Sequence, residues 1–239
     1  MKRILFMVFS NIVIIPYLYI KLYYYAAHVD KYTEKERYAL LTRITLAATK
    51  GGRIIIEAHG KENIPSENGF MFFPNHQGLF DVLAIIEACP LPFAVVMKKE
   101  IQNIPFLKQV FKCMKAYAID RDDIKQSLKV IQKVAIEVKE GRNYLIFAEG
   151  TRSKNGNKLK EFKGGSFKSA IKARCPIVPI ALIDSYKAFD TNSIKQLKVQ
   201  VHFLKPLRYE EYQDMKSVEI AAEVKRRIEG TITRYEDGE

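Results

Sequence analysis

From Arg53 onward, short apolar runs alternate with segments of helical periodicity, and this alternation limits the folds open to the chain. Strands alternating with helices predict an α/β domain with a mixed or largely parallel sheet flanked by helices. Helical spacing is clearest over Ile124–Val138, where lysines lie opposite an apolar stripe. The other predicted helices are Gly165–Ala173 and Ser217 to about Tyr235, and the predicted strands are Arg53–Glu57, Gly69–Phe73, Phe93–Met97, Tyr144–Ala148, Ile177–Ile183 and Val199–Phe203.

The N-terminal region has a different composition. Residues Ile4–Ile20 carry no charge, and a tyrosine cluster at their end favours the lipid headgroup interface. A helix of that length spans roughly 25 Å, which is short of a hydrocarbon core of ~30 Å. The next segment, Thr33–Lys50, is amphipathic. We expect residues 1–50 to be two membrane-associated helices embedded in one leaflet, ahead of an α/β domain over 51–239. A single span and a soluble core helix are the alternatives.

The charge balance narrows the class of partner. The chain has 39 Lys and Arg against 27 Asp and Glu, a net charge of +12. Such a surface favours nucleic acid, an anionic membrane, or phosphorylated and acidic substrates. No basic helix or aromatic RNA-binding motif is present in the sequence, so nucleic acid is not expected. The three cysteines are widely separated, which indicates neither a disulfide framework nor a zinc site.

A histidine and an aspartate follow the predicted strand Gly69–Phe73. His76 and Asp81 are five residues apart, so we expect His76 in the turn and Asp81 at the start of the next helix. An imidazole near neutral pH accepts a hydroxyl proton, and a carboxylate on its other nitrogen fixes the tautomer. Alternatively, Asp81 only caps that helix and His76 is a solvated loop residue.

A second group of polar residues follows the strand Tyr144–Ala148. Gly150 permits a tight backbone, Thr151 offers a hydroxyl, and Arg152 presents a planar fork that suits phosphate oxygens. Lys98 or Lys99, at the end of another strand, offers a further phosphate contact. The alternative is an ordinary polar turn with an exposed arginine.

The order of these motifs is more specific than any one of them. The blocks NHQGLFD, KKE with Ile104-Pro105-Phe106, FAEGTRS and IVPI occur in that order within 60–185. This arrangement resembles the glycerolipid acyltransferase family, and within it the bacterial 1-acylglycerol-3-phosphate acyltransferases. Gly78 departs from the pattern, because relatives often carry a serine there.

The resemblance implies roles for particular residues. It makes His76 and Asp81 the catalytic pair. It also implies that the phosphate of the acceptor is bound by Lys98, in preference to Lys99, and by Glu149, Gly150, Thr151 and Arg152.

The implied reaction moves an acyl group from acyl-CoA or an acyl carrier protein to 1-acylglycerol-3-phosphate, giving phosphatidic acid. No metal or organic cofactor is expected. The expected partners are membrane lipids and the donor, and the expected location is the cytoplasmic face of the cell membrane. Acylation of glycerol-3-phosphate or another lysophospholipid is the nearer alternative. A non-catalytic protein that binds anionic lipid is the more distant one.

Overall fold

One seven-stranded sheet organises the computed structural model, which describes residues 2–238. Its strands are β1 (Ile54–His59), β2 (Met71–Pro74), β3 (Ala94–Lys98), β4 (Tyr117–Ile119), β5 (Tyr144–Ile146), β6 (Ile177–Ile183) and β7 (Leu197–Phe203). The six predicted strands are confirmed, with ends shifted by a few residues. The short β4 was not predicted, since three residues are too few for a periodic pattern.

The order across the sheet is β1-β7-β6-β2-β5-β3-β4. The five strands from β6 to β4 run parallel, whereas β7 is antiparallel to β6 and β1 runs parallel to β7. The predicted mixed, largely parallel sheet is therefore confirmed. Because five neighbouring strands share one direction, the loops after them meet at one edge of the sheet.

Helices cover both faces of this sheet. They are α1 (Lys2–Ser10), α2 (Ile15–Ala27), α3 (Glu34–Gly51), α4 (Asp81–Ala88), α5 (Leu107–Cys113), α6 (Ile124–Lys139), α7 (Lys168–Ala173), α8 (Lys187–Asp190), α9 (Tyr209–Tyr212) and α10 (Ser217–Glu236). Phe72 of β2 packs with residues of α1 to α4, whereas Phe73 packs with residues of α6, α7 and α10. Successive side chains of a strand point to opposite faces, so two buried cores lie on either side of the sheet.

The predicted continuous helix over Ile4–Ile20 is wrong. It is two helices, α1 and α2, bent by 95°. Pro16 lies in the first turn of α2, where its missing N–H removes no helical bond, and the Asn11 amide donates to the carbonyls of Met7 and Ala47. Among the described residues no single helix has the length and apolarity to cross a bilayer, although α1 and α2 taken together meet that criterion.

The N-terminal helices also pack on the rest of the chain. Tyr38 and Leu41 of α3 are buried in the core that contains Phe72, and the Tyr38 hydroxyl donates to the carbonyl of Cys89 at 3.2 Å. Arg3 of α1 is buried and donates to the carbonyl of Gly52 at 2.6 Å. The amphipathic segment that we assigned to the membrane anchor therefore uses most of its apolar side within the protein, and within residues 2–51 most of the exposed apolar side chains belong to α1, α2 and the turn between them.

Candidate active site

The carboxyl ends of the parallel strands bring five groups of side chains to one edge. His76 follows β2, Lys98 ends β3, Arg121 follows β4, the segment 149–152 follows β5, and Ser185 follows β6. Their convergence is a consequence of the sheet order, because β6, β2, β5, β3 and β4 are consecutive neighbours.

His76 and Asp81 are in direct contact. The Nδ1 atom of His76 lies 2.8 Å from Oδ2 of Asp81, and Asp81 is fully buried as the first residue of α4. The imidazole stacks on the ring of Phe147, with centroids 4.0 Å apart, and its side chain keeps 20% of its surface exposed. The pair thus has one buried member and one member that a substrate can reach.

The hydrogen bonds of Asp81 determine which imidazole nitrogen carries the proton. Its Oδ2 also accepts the backbone N–H groups of Gln77 and Gly78, at 2.7 and 2.9 Å. Its Oδ1 accepts the hydroxyl of Ser185 at 2.6 Å. Every one of these partners is a donor, so the carboxylate accepts from Nδ1–H as well. In neutral His76 the Nε2 atom is then the unprotonated nitrogen, as a base requires.

Asp81 does not cap α4 as the alternative interpretation proposed, since no side-chain hydrogen bond caps the start of this helix. Asp81 lies in the first turn of α4 and accepts backbone N–H groups of the residues just before the helix. A carboxylate in that position is favoured by the helix dipole. Asp81 therefore holds the turn that precedes α4 and contacts His76 with the same side chain.

Two amides fix the turn to the end of β6. Asn75 donates to the carbonyl of Leu182 and accepts its N–H, at 3.0 and 2.7 Å. Gln77 donates to the same carbonyl and accepts the N–H of Tyr186. Both amides are buried with these partners, so the backbone on either side of His76 is held in place.

Glu149 has a structural environment that the sequence did not indicate. Its Oε1 accepts the N–H of His76 at 2.7 Å, and its Oε2 accepts the N–H of Lys160 at 3.0 Å. Burial raises the pKa of the Glu149 carboxyl, and these two N–H donors oppose the rise. Both oxygens are engaged by backbone donors, so Glu149 joins the His76 turn to the following loop.

Cationic side chains surround the backbone of Gly150. A Cβ atom at this position would lie 3.4 Å from Nζ of Lys163 and 3.5 Å from a terminal nitrogen of Arg121. Gly150 has φ of +76°, a conformation that other residues rarely adopt. The Nζ of Lys160 lies 3.3 Å from the Thr151 hydroxyl. We call Arg121, Lys160 and Lys163 the basic cluster.

Arg152 belongs to the same loop and lines a cleft of about 370 Å³. The other lining residues are Gln77, Ser153, Lys154, Gly156, Tyr186 and Asp190. Ser153 connects this cleft to the turn, because its N–H donates to the carbonyl of His76 at 2.8 Å. Gly150, which the basic cluster surrounds, and Arg152, which lines the cleft, therefore both belong to the loop that is hydrogen-bonded to the His76 turn.

Lys98 and Lys99 differ in their contacts. The Nζ of Lys99 pairs with Asp120 at 2.5 Å, which raises the pKa of the lysine. Within residues 2–238 no hydrogen bond or ion pair engages the Lys98 side chain, and none joins it to the other predicted site residues. The geometry leaves Lys98 available to a ligand, whereas Lys99 has a partner.

Sequence reasoning missed Ser185 and Arg121. Ser185 follows a predicted strand. Functional residues in such sheets lie just after the carboxyl ends of strands, so Ser185 could have been predicted in the same way as His76. Arg121 follows β4, which was not predicted, and its position at a strand end was therefore not visible. In the described part of the chain, no three His, Cys, Asp or Glu side chains are placed to hold a metal ion.

Comparison with known proteins gives consistent matches. The model of the Acyltransferase family matches residues 55–183, more than half of the chain. The 1-acyl-sn-glycerol-3-phosphate acyltransferase of Borreliella burgdorferi is 32% identical over 168 residues, which cover 68% of this chain and 66% of the relative. The enzyme of that name from Cocos nucifera is 31% identical over 61% of this chain and 48% of its own length. The chain thus spans less than two thirds of the length of these relatives.

A solved structure resembles the whole fold. The crystal structure of the 1-acyl-sn-glycerophosphate (LPA) acyltransferase PlsC from Thermotoga maritima superposes with a TM-score of 0.76. The superposition covers 98% of this chain and 97% of the other, at 19% sequence identity. At that identity the likeness establishes a shared fold, and it includes the N-terminal helices.

Proposed function

This chain belongs to the acyltransferase family, and we propose that it transfers an acyl group from an acyl thioester to the free hydroxyl of 1-acylglycerol-3-phosphate, giving phosphatidic acid. The observation that carries the proposal is the contact between His76 and Asp81 at 2.8 Å, beside a cluster of cations at the same sheet edge. The names of the curated relatives support this choice of acceptor.

The proposed step uses the unprotonated Nε2 of His76 as a general base. This atom takes the proton of the acceptor hydroxyl while the hydroxyl oxygen attacks the thioester carbonyl. The carbon–sulfur bond then breaks, and the leaving thiolate takes the proton from the imidazolium. Asp81 stabilises the imidazolium and keeps Nε2 directed at the substrate. General-base assistance of this kind contributes roughly 10²–10⁴-fold.

We propose direct transfer, with no acyl-enzyme intermediate. All three cysteines are buried, and burial raises the pKa of their thiols to about 11 for Cys89 and Cys113 and about 12 for Cys175. A nucleophilic cysteine needs a thiolate near neutral pH, which these environments disfavour. The Ser185 hydroxyl is fully buried against Asp81, so it is not accessible to an acyl donor as a nucleophile must be.

For the phosphate of the acceptor we propose Lys98, Gly150, Thr151 and Arg152, assisted by Arg121 and Lys163. The guanidinium and ammonium groups offer charge-assisted hydrogen bonds to phosphate oxygens. We propose a different role for Glu149, since its oxygens accept backbone N–H groups and its charge would repel a phosphate. It positions the His76 turn relative to the loop that binds the phosphate.

We also propose that α1 and α2 embed in the cytoplasmic leaflet of the cell membrane. The two helices and the turn between them expose apolar side chains, with Phe9 at 69%, Val13 at 90% and Ile20 at 68%. The five tyrosines of α2 and two cations over their rings suit the headgroup region. Embedding in one leaflet would leave the sheet edge within reach of a lipid acceptor while the donor arrives from water.

The activity is tested with purified protein and a panel of acceptors. Palmitoyl-CoA and palmitoyl-loaded acyl carrier protein serve as donors, with 1-palmitoylglycerol-3-phosphate, glycerol-3-phosphate, lysophosphatidylcholine and monopalmitoylglycerol as acceptors. We expect phosphatidic acid as the main product, resolved by mass. Transfer only to another acceptor would replace the proposed substrate, and no transfer with either donor would overturn the function.

Membrane association is tested without truncation, because Tyr38 and Leu41 make the first 50 residues part of the core. The triple change Phe9→Ser, Val13→Ser and Ile20→Ser should reduce binding to anionic vesicles. A matched change at exposed apolar residues elsewhere, Ile194→Ser with Val218→Ser, should leave binding unchanged. Equal binding by both variants would refute the role of α1 and α2.

A further inference from the structure

Helix α6 exposes apolar side chains that its own packing does not use. It buries Val130, Val134 and Val138 against the sheet, as an amphipathic helix is expected to do. Yet Ile124, Leu128 and Ile136 remain 73%, 41% and 56% exposed. These three lie on one row, since their separations are multiples of four residues. The row runs along the outer side of the helix.

A row of cations lies beside these apolar residues. Lys125, Lys129 and Lys133 are all exposed and also spaced by four, so their Cα atoms are about 6 Å apart along the helix axis. The acidic residue of the helix, Glu137, is directed to Tyr117, Arg142 and Tyr144 instead. We call the two rows together the α6 strip, defined by Ile124, Lys125, Leu128, Lys129, Lys133 and Ile136.

The α6 strip begins next to the candidate active site. Its first residue, Ile124, is three positions after Arg121, whose guanidinium reaches the space over Gly150. The strip is also separate from the proposed membrane surface. Residues of α6 pack with Phe73, whereas residues of α1 and α2 pack on the face of the sheet that carries Phe72. A partner bound to α6 could therefore reach the sheet edge while α1 and α2 are occupied by lipid.

We propose that the α6 strip docks an acidic carrier protein that presents the acyl thioester. This inference rests on the proposed function, since it names the partner that delivers the donor. The lysine row complements a row of carboxylates on the partner, and such complementarity raises association rates and fixes orientation. The exposed apolar row of Ile124, Leu128 and Ile136 would be buried against the partner and would add apolar contact area to the charge pairs. Free acyl-CoA, a small thioester donor, does not need this surface.

Two other occupants are less consistent with the structure. The strip has no aromatic side chains on which bases could stack, so it is not suited to single-stranded nucleic acid. A membrane would be contacted at the same time by α1 and α2, which lie on the other face of the sheet. Binding of the strip to a membrane is a distinguishable outcome of the following test.

The test compares two donors on one variant. The full-length protein with Lys125→Glu, Lys129→Glu and Lys133→Glu is assayed with palmitoyl-loaded acyl carrier protein and with palmitoyl-CoA. We expect kcat/KM with the carrier to fall by about tenfold or more, as for lost electrostatic steering, and kcat/KM with palmitoyl-CoA to change less than about twofold. A matched variant with Lys61→Glu, Lys195→Glu and Lys205→Glu, which changes net charge equally, should retain both activities.

A second variant tests the apolar row. Ile124→Ala with Leu128→Ala should raise KM for the carrier by several fold and leave KM for palmitoyl-CoA unchanged. Equal losses with both donors, or no loss with the carrier, would overturn the proposal. Loss of binding to anionic vesicles by the lysine variant would assign the strip to a membrane instead. A wild-type protein that uses palmitoyl-CoA but no carrier would contradict this inference and leave the proposed function intact.

Discussion

The turn 75–81 and the loop 150–163 lie side by side at the sheet edge, but they are built differently. In the turn, Asn75, Gln77 and Asp81 are almost completely buried, and each has hydrogen-bond partners. In the loop, Thr151 and Lys163 are exposed, and the cations near Gly150 have few protein contacts. The first region is fixed by its surroundings, and the second presents its groups to solvent.

The difference corresponds to two chemical tasks. A general base needs one nitrogen held in a fixed direction, because a small misplacement of the reacting atoms is costly. A phosphate has several equivalent oxygens and a large charge, so cations can bind it from more than one direction. We therefore expect changes in the turn to lower kcat and changes in the loop to raise KM for the acceptor.

The largest effect should come from the buried carboxylate. Asp81→Asn removes the acceptor of Nδ1–H and allows the wrong tautomer of His76, so kcat should fall on the order of 10³- to 10⁴-fold. KM for the acceptor should change little, since the loop is untouched. Steady-state kinetics with both substrates varied will measure this. The control Asp214→Asn, at an exposed position, should be active. A large rise in KM for the acceptor in Asp81→Asn would contradict the assignment of acceptor binding to the loop alone.

Changes in the loop should give the opposite pattern. Arg121→Ala and Lys163→Ala should each raise KM for 1-acylglycerol-3-phosphate by about tenfold or more, because each removes a charge-assisted hydrogen bond. Arg152→Lys should rescue little of the loss in Arg152→Ala if the planar fork is needed. KM values for the acyl donor serve as the internal reference. If kcat falls while KM for the acceptor is unchanged, these cations do not bind the phosphate.

A smaller effect is expected for Ser185. Ser185→Ala removes one of the donors to Asp81, at 2.6 Å, but leaves the two backbone donors and His76 in place. We expect kcat to fall by about tenfold with KM unchanged, consistent with one lost hydrogen bond to a charged group. Ser185→Thr keeps the hydroxyl and should restore most of the activity. A Thr variant as slow as Ala would show that the hydroxyl is not the important feature.

The smallest effect on activity should come from a histidine outside the turn. Burial, together with His59 and Arg234, lowers the pKa of His202 to about 4 from an ordinary value near 6.5. Between these values the unfolded chain binds a proton that the folded protein does not, so stability is present above pH 6.5 and is lost as the pH falls toward 4. His202→Gln should reduce the dependence of the free energy of unfolding on pH in this range and leave turnover unchanged.

Urea denaturation at several pH values will measure that slope. The control is His28→Gln, because His28 is only half-buried and lies apart from His202 and from the His59 ring that stacks on it. An unchanged slope in the His202 variant would show that other groups cause the acid sensitivity. Loss of turnover in the same variant would mean that β7 and the turn 75–81 are coupled, against the comparison made above.

Elements with local patterns were predictable, and contacts between distant segments were not. The helix Ile124–Lys139 and the strand Ile177–Ile183 have clear periodicity or a long apolar run, and both were found. The break between α1 and α2 was not predicted, although Pro16 lies in the first turn of α2. The prediction treated an uninterrupted apolar run as one continuous helix. The burial of α3 depends on tertiary packing, which an amphipathic pattern does not distinguish from membrane contact.

The same distinction applies to the candidate site. His76 and Asp81 are five residues apart, so their contact was expected from one segment of sequence. Ser185 is separated from Asp81 by 104 residues, and only the strand order brings them together. Glu149 was grouped with the phosphate-binding residues because of its position in the motif, whereas its partners are backbone N–H groups from two other segments.

The central claim is that His76 acts in chemistry while the loop binds the acceptor. The most direct measurement follows His76→Ala in parallel for acyl transfer and for binding of 1-acylglycerol-3-phosphate, with circular dichroism to check the fold. We predict that turnover falls by at least about 10²-fold, while the Kd for the acceptor stays within about twofold of wild type. Near-normal turnover by the folded variant, or equal losses of turnover and acceptor binding, would contradict the account.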